Sequence, residues 1–146
     1  MAYGKDTEVP FERSVAEIVA LLRGAGADQI GQMEDRASFT IQFALGGRIV
    51  KFVVRLLAPD DVEKIRGRRQ DPARVEEQWR RQRGRALLLV IKAKLESVES
   101  DVETFEQAFL ANIVMADGTT LYDRVRQPLA LEYRDRKPVL LLGGPA

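Results

Sequence analysis

Residues Phe39 to Leu57 constrain the fold most. Phe39, Ile41, Phe43 and Leu45 alternate with Thr40, Gln42 and Ala44, the period of a strand with one apolar face. Gly46-Gly47 follows, and glycine accepts positive φ at both centres of a two-residue hairpin turn. Arg48 to Leu57 then alternates Val50, Phe52, Val54 and Leu56 against Lys51 and Arg55. A hairpin patterned in this way has one apolar face, and a helix must cover it. Gln29 to Asp35 is expected to add a third, edge strand.

The flanking segments supply helices. Residues 1–13 read as an extended arm. Ser14 with Glu17 fits a capping box, and Ile18, Val19, Leu21 and Leu22 form an apolar face up to a stop at Gly24. Ala58-Pro59-Asp60-Asp61 breaks the sheet, and 58–71 is expected to be a charged connection. Asp71-Pro72 is a strong helix start, an N-cap aspartate before a proline whose missing N–H costs nothing there. The helix is expected over 72–98, about 40 Å at 1.5 Å per residue. Gly84 is its weak point, Trp79 lies on its apolar side, and Leu87 to Ile91 is expected to be buried. Ser100 with Glu103 makes a second capping box, opening a helix with Phe105, Phe109, Leu110 and Ile113 inward. Thr120 is expected to cap a short helix that Pro128 interrupts and Leu129 to Arg134 resumes, and the tail 139–146 is expected to dock through its four apolar residues and then fray. The expected architecture is a single α+β domain over 1–146. It comprises an N-terminal helix, an antiparallel two- or three-stranded sheet, a long central helix and a helical C-terminal half.

Composition narrows the chemistry. The 146 residues include no cysteine and no histidine. Disulfides and thiolate chemistry are therefore excluded, and the usual neutral-pH acid/base group is missing. No cofactor and no metal site is expected. Pro59-Asp60-Asp61 with Glu63-Lys64 is similar to the PD…(D/E)xK core of magnesium-dependent nucleases. Here, however, the acid and lysine are adjacent rather than one residue apart, which favours a capping or loop role. The longest apolar run, Ala86 to Ile91, is too short to span a bilayer, and Met1 to Pro10 lacks the apolar run of a signal peptide. A cytoplasmic protein that does not engage membranes is expected.

Charge gives the functional lead. Lys64 to Lys94 holds eleven Lys/Arg against Asp71, Glu76 and Glu77, in a chain whose net charge is only +1. At 100° per residue, Arg74, Arg81, Arg85 and Lys92 fall within about 40° of one another. Arg68 and Arg69 lie just upstream. Such a row suits a phosphate backbone. It also suits bidentate contacts to carboxylates on an acidic protein surface. Two other readings consume it internally: Glu76/Arg80 and Glu77/Arg81 pairs at i, i+4, or the acids Glu96 to Glu106 of the next segment. The leading expectation is a non-enzymatic accessory protein that binds DNA or RNA through Arg68, Arg69, Arg74, Arg81, Arg85 and Lys92, without sequence-specific readout. The alternative is an inhibitor or adaptor acting on a host or phage protein complex, such as a defence or replication factor. Self-association through the long helix is a further possibility.

The chain also resembles a group of small phage and prophage proteins of unknown function. The likeness lies in Val9-Pro10-Phe11-Glu12-Arg13-Ser14 with its helix to Gly26-Ala27, and in Ile91-Lys92-Ala93-Lys94-Leu95-Glu96. It continues through Thr104-Phe105-Glu106 and Phe109-Leu110 to Ala116-Asp117-Gly118. The resemblance implies a viral protein working inside a bacterial host. It transfers no site.

Overall fold

A computed structural model describes residues 2–56, 59–67 and 70–142. Helix α1 (Phe11–Gly24) leads into strands β1 (Asp28–Glu34), β2 (Ser38–Leu45) and β3 (Arg48–Arg55). Then come a short helix α2 (Pro59–Ile65), the long helix α3 (Pro72–Glu99) and α4 (Phe105–Phe109). A 3₁₀ turn (Leu110–Asn112) and helix α5 (Leu121–Asp135) complete the order. The fold is α+β, as the periodicities require.

The sheet runs β1-β2-β3, antiparallel throughout. Leu45 pairs with Arg48 across the glycine turn, where Gly46 has φ 59° and Gly47 φ 74°. That turn fixes the register, which puts Phe39, Ile41, Phe43, Val50 and Phe52 on one buried face. The third strand is present, bulged between Asp28 and Gly31 with Gln29 at positive φ. Phe11, Val15, Ile18 and Leu22 of α1 cover the sheet together with Leu87, Leu88 and Ile91 of α3 and Phe109 of α4. The two long helices meet at Gly84. A Cβ there would lie 3.1 Å from both Phe11 Cδ1 and Ser14 Cβ. Gly84 is therefore the point of closest helix approach, not a weak spot.

Several expectations need correcting. The helix α1 starts at Phe11, so the arm ends at Pro10, and no side chain caps it. Ser14 lies inside the helix, buried under α3, with its Oγ unpartnered. The stop is Gly26 rather than Gly24: Gly26 takes φ 92° while the Ala27 amide donates to the Leu22 carbonyl at 2.9 Å. The expected connection 58–71 contains α2, with Asp60 and Asp61 in its first turn, where the positive end of the helix dipole favours carboxylates. Only Leu87, Leu88 and Ile91 of the apolar run are buried, while Leu89 and Val90 are exposed. Ser100 ends α3 instead of opening a helix. Asp101 turns the chain at φ 59°, and the true capping box is Thr104 with Gln107. Leu110 points outward, and Leu140, Leu141 and Leu142 of the tail are exposed rather than docked. Thr120 does cap α5, in a box with Asp123, but the helix passes through Pro128 unbroken, forfeiting one backbone bond.

The turn before α5 rests on one carboxylate. Asp117 Oδ1 accepts from the Thr119 hydroxyl at 2.7 Å and its amide at 3.0 Å, and lies 3.4 Å from Arg124 of α5. The Thr119 hydroxyl, its amide and Arg124 together hold the Asp117 pKa down at about 2, against an ordinary 3.8. A lowered folded-state pKa stabilises fully above the ordinary value and is lost as pH falls through the folded one. Hydrogen exchange at the Thr119 amide should therefore accelerate as pH drops from about 4 to 2, once the intrinsic rate is corrected for. Carboxyl NMR should place the Asp117 midpoint near 2. A midpoint near 3.8 would remove this account of the turn.

Candidate interaction surface

The long helix begins where expected, with Asp71 Oδ1 accepting from the Ala73 amide at 3.1 Å. It carries the predicted row, yet the row's centre is not free. Arg85 reaches Glu17 of α1 at 3.2 Å and its side chain is only 22% exposed. Arg81 Nε lies 3.4 Å from Glu77, the expected i, i+4 pair, without an aligned hydrogen bond. The N-terminal arm lies along the same face. Gln78 Nε2 donates to the carbonyls of Lys5 and Thr7, each at 2.9 Å, and Gln82 Nε2 to that of Tyr3 at 2.8 Å. Arg74 and Lys92, at the two ends of the row, are exposed and have no acidic partner among the described residues. Eighteen residues separate them, about 27 Å along the helix. Arg68 and Arg69 lie outside the described residues.

Arg80 is not in the row and does not pair with Glu76. It is bound by Glu34 of β1 and by Glu12 of α1 at 3.2 Å, with its guanidinium 4.6 Å from the Phe11 ring centre. Burial works against its charge, but Glu34 and Glu12 more than offset this and raise its pKa. Glu12 in turn is lowered, first by a backbone hydrogen bond and then by Arg80. The acids of the next segment are used elsewhere. Glu106 holds Arg48 at 2.7 Å, Glu103 accepts from Ser97 and Glu96 from Ser100. The basic helix is thus partly neutralised from within, through α1 and β1 rather than through residues 96–106. These partners are 46 to 68 residues away in sequence, and no local pattern announces them.

Trp79, expected in the core, is half-buried, with Arg83 stacked over it at 4.1 Å. Of the nuclease-like Pro59-Asp60-Asp61, Asp61 pairs with Arg55 at 3.1 Å and Asp60 is exposed in the first turn of α2. Among the described residues no group of three or more acids could hold a metal. A cleft of about 490 Å³ lies between α1, α3 and the Gly46 turn. Its lining is mostly apolar, with Lys92, Glu96 and Glu99 also on it.

Helix α5 is the feature that charge counting misses. None of its residues is buried, and it meets the body mainly at the Leu110–Asn112 turn. Its first turn is tied by the Leu121 amide to the Ile113 carbonyl and by Arg124 to Asp117. Beyond that, one side of the helix, Val125, Pro128 and Leu131, is half-buried and the other is exposed. Tyr122 (53% exposed), Leu129 (46%) and Tyr133 (77%) fall within about 40° of one another at 100° per residue. The i, i+7, i+11 spacing was readable in the sequence as amphipathicity. What was not readable is that none of the described residues covers it.

No protein-family model, no curated protein and no solved structure matches the chain. No described helix is long and apolar enough to cross a membrane.

Proposed function

We propose that this protein is a non-enzymatic adaptor or inhibitor that presents α5 to an apolar groove on another protein. The observation that carries the reading is the uncovered stripe Tyr122, Leu129 and Tyr133. Helix-in-groove recognition uses anchors at this kind of spacing, and the stripe spans about 16 Å. Tyrosine suits the role, since it supplies large amphipathic contact area. Arg126 flanks the stripe, and Arg136 and Lys137 follow α5. Residues 121–137 hold five Lys/Arg against three carboxylates. The matching groove is apolar with an acidic rim. A phage or prophage origin, inferred from sequence resemblance, makes a bacterial host protein or a co-expressed phage protein the partner to seek.

Nucleic-acid binding is the second reading, and Arg74 and Lys92 favour it because both are exposed and without an acidic partner among the described residues. It draws less support than the first, because Arg81 and Arg85 are engaged and the arm covers the face between.

Affinity capture from host extract, run with and without nuclease treatment, separates the two. Wild type is compared with Leu129→Glu and with Arg74→Glu/Lys92→Glu. Both variants change exposed side chains, so the fold should persist. The expected outcome is a stoichiometric protein partner whose affinity falls about 30-fold or more in Leu129→Glu, the loss of a hot spot worth ~2 kcal/mol. Arg74→Glu/Lys92→Glu should retain it. Binding that needs nucleic acid, and that only the double variant loses, would overturn the adaptor reading.

A further inference from the structure

The edge of β3 is only half covered. The Val114 amide donates to the Ile49 carbonyl and Asn112 Nδ2 to the Lys51 carbonyl, so odd-numbered residues of β3 direct their backbone groups outward. Leu56 fits the alternation, donating inward to the Ala37 carbonyl. By the same alternation the amide and carbonyl of Val53 and Arg55 face outward. Their pairs with Thr40 and Ser38 are the non-hydrogen-bonded ones, and no loop or turn among the described residues bonds them. Alongside runs a groove of about 340 Å³. Its apolar wall is Phe52, Val54, Leu87 and Val90, with Arg55 and Arg83 bordering it. Val53 is 59% exposed on the strand itself.

We propose that this half-edge is a strand-addition site for an extended peptide segment of a partner protein, apolar at alternate positions and acidic between them. Backbone pairing to Val53 and Arg55 would extend the sheet where Ile113 and Val114 leave off. Alternate side chains of the added strand would enter the groove between Phe52 and Val90. Charge selects the remaining positions. Arg83 has no carboxylate among the described residues, and its Nε is buried without a hydrogen-bond partner. Burial, and then the like charge of Arg55, lower its pKa. The Asp61 bridge leaves the Arg55 side chain 75% exposed. A carboxylate held between the two guanidinium groups would satisfy both. A purely apolar segment, such as Val139 to Leu142 of a second copy, would leave Arg83 as it is.

The probe is a hexapeptide alternating valine and glutamate, against a control with lysine for glutamate. Added to the full-length ¹⁵N-labelled protein, the acidic peptide should shift the amides of Val53 and Arg55 and slow their hydrogen exchange at least tenfold. The lysine control should bind at least tenfold more weakly, and Arg83→Glu should weaken the acidic peptide by a similar factor. Val53→Pro removes one outward amide at a position where an edge strand tolerates proline, and should abolish the protection at Arg55. Leu129→Glu should leave peptide binding unchanged, so failure here and failure of the α5 reading are distinguishable. Shifts centred elsewhere, equal binding of the lysine control, or no shift at millimolar peptide would overturn the proposal. Peptide-free protection of the same amides that grows with protein concentration would assign the edge to a second copy, and would overturn it too.

Discussion

Replacing Phe109 by alanine is expected to destabilise the protein by about 3–5 kcal/mol, the usual cost of emptying a fully buried aromatic site. Phe109 is 0% exposed and joins the C-terminal helices to the sheet. Its ring packs edge-on to Phe43 and Phe52, each at 6.3 Å, and is stacked with Phe105 at 5.0 Å. The Lys94 ammonium lies 5.9 Å from the ring centre while donating to the Ala108 carbonyl at 2.7 Å. A cavity here removes the contacts of three rings at once, and the surroundings relax only in part. Denaturant unfolding followed by circular dichroism should show the midpoint falling at unchanged m. A loss below about 1 kcal/mol would mean that α4 is not seated as described.

Gly84→Leu is the second large effect, at about 3 kcal/mol, the upper end of over-packing losses. On propensity alone the change should help, since glycine inside a helix costs roughly 1 kcal/mol relative to good helix formers. The sign is decided by the crossing of α1 over α3. The first atom of any side chain would already meet Phe11 and Ser14 at 3.1 Å. Leucine adds three carbons beyond that point, with the backbone of α1 behind it. A stabilised variant would show that the helices pack elsewhere.

These residues mark what could be read in the sequence. The Gly46-Gly47 turn, the Asp71-Pro72 start and the Thr120 cap are encoded within a few residues, and all three form as their chemistry dictates. The serine boxes failed because the same local pattern met a stronger non-local demand. Ser14 is small enough to lie under α3 at Gly84, and burial there took it from the helix end. Ser100 lost to Thr104, because Asp101 turns the chain first and α4 begins only after it. The basic row was legible as a helical face. Its partial neutralisation was not, because Glu12, Glu17 and Glu34 reach α3 only after the sheet has brought α1 and β1 beside it. For the same reason Arg83 and the open half of β3 were invisible as a pair. The amphipathic character of α5 was written in its sequence, but exposure of the apolar side belongs to the assembled fold.

On the proposed reading α5, not the basic face of α3, meets the partner. Photo-crosslinking in living cells tests this, with a benzophenone amino acid placed in turn at positions 129 and 92. A discrete protein adduct is expected from position 129 and none from position 92. An adduct from 92 alone, whether to protein or to nucleic acid, would contradict it and return the function to the basic helix.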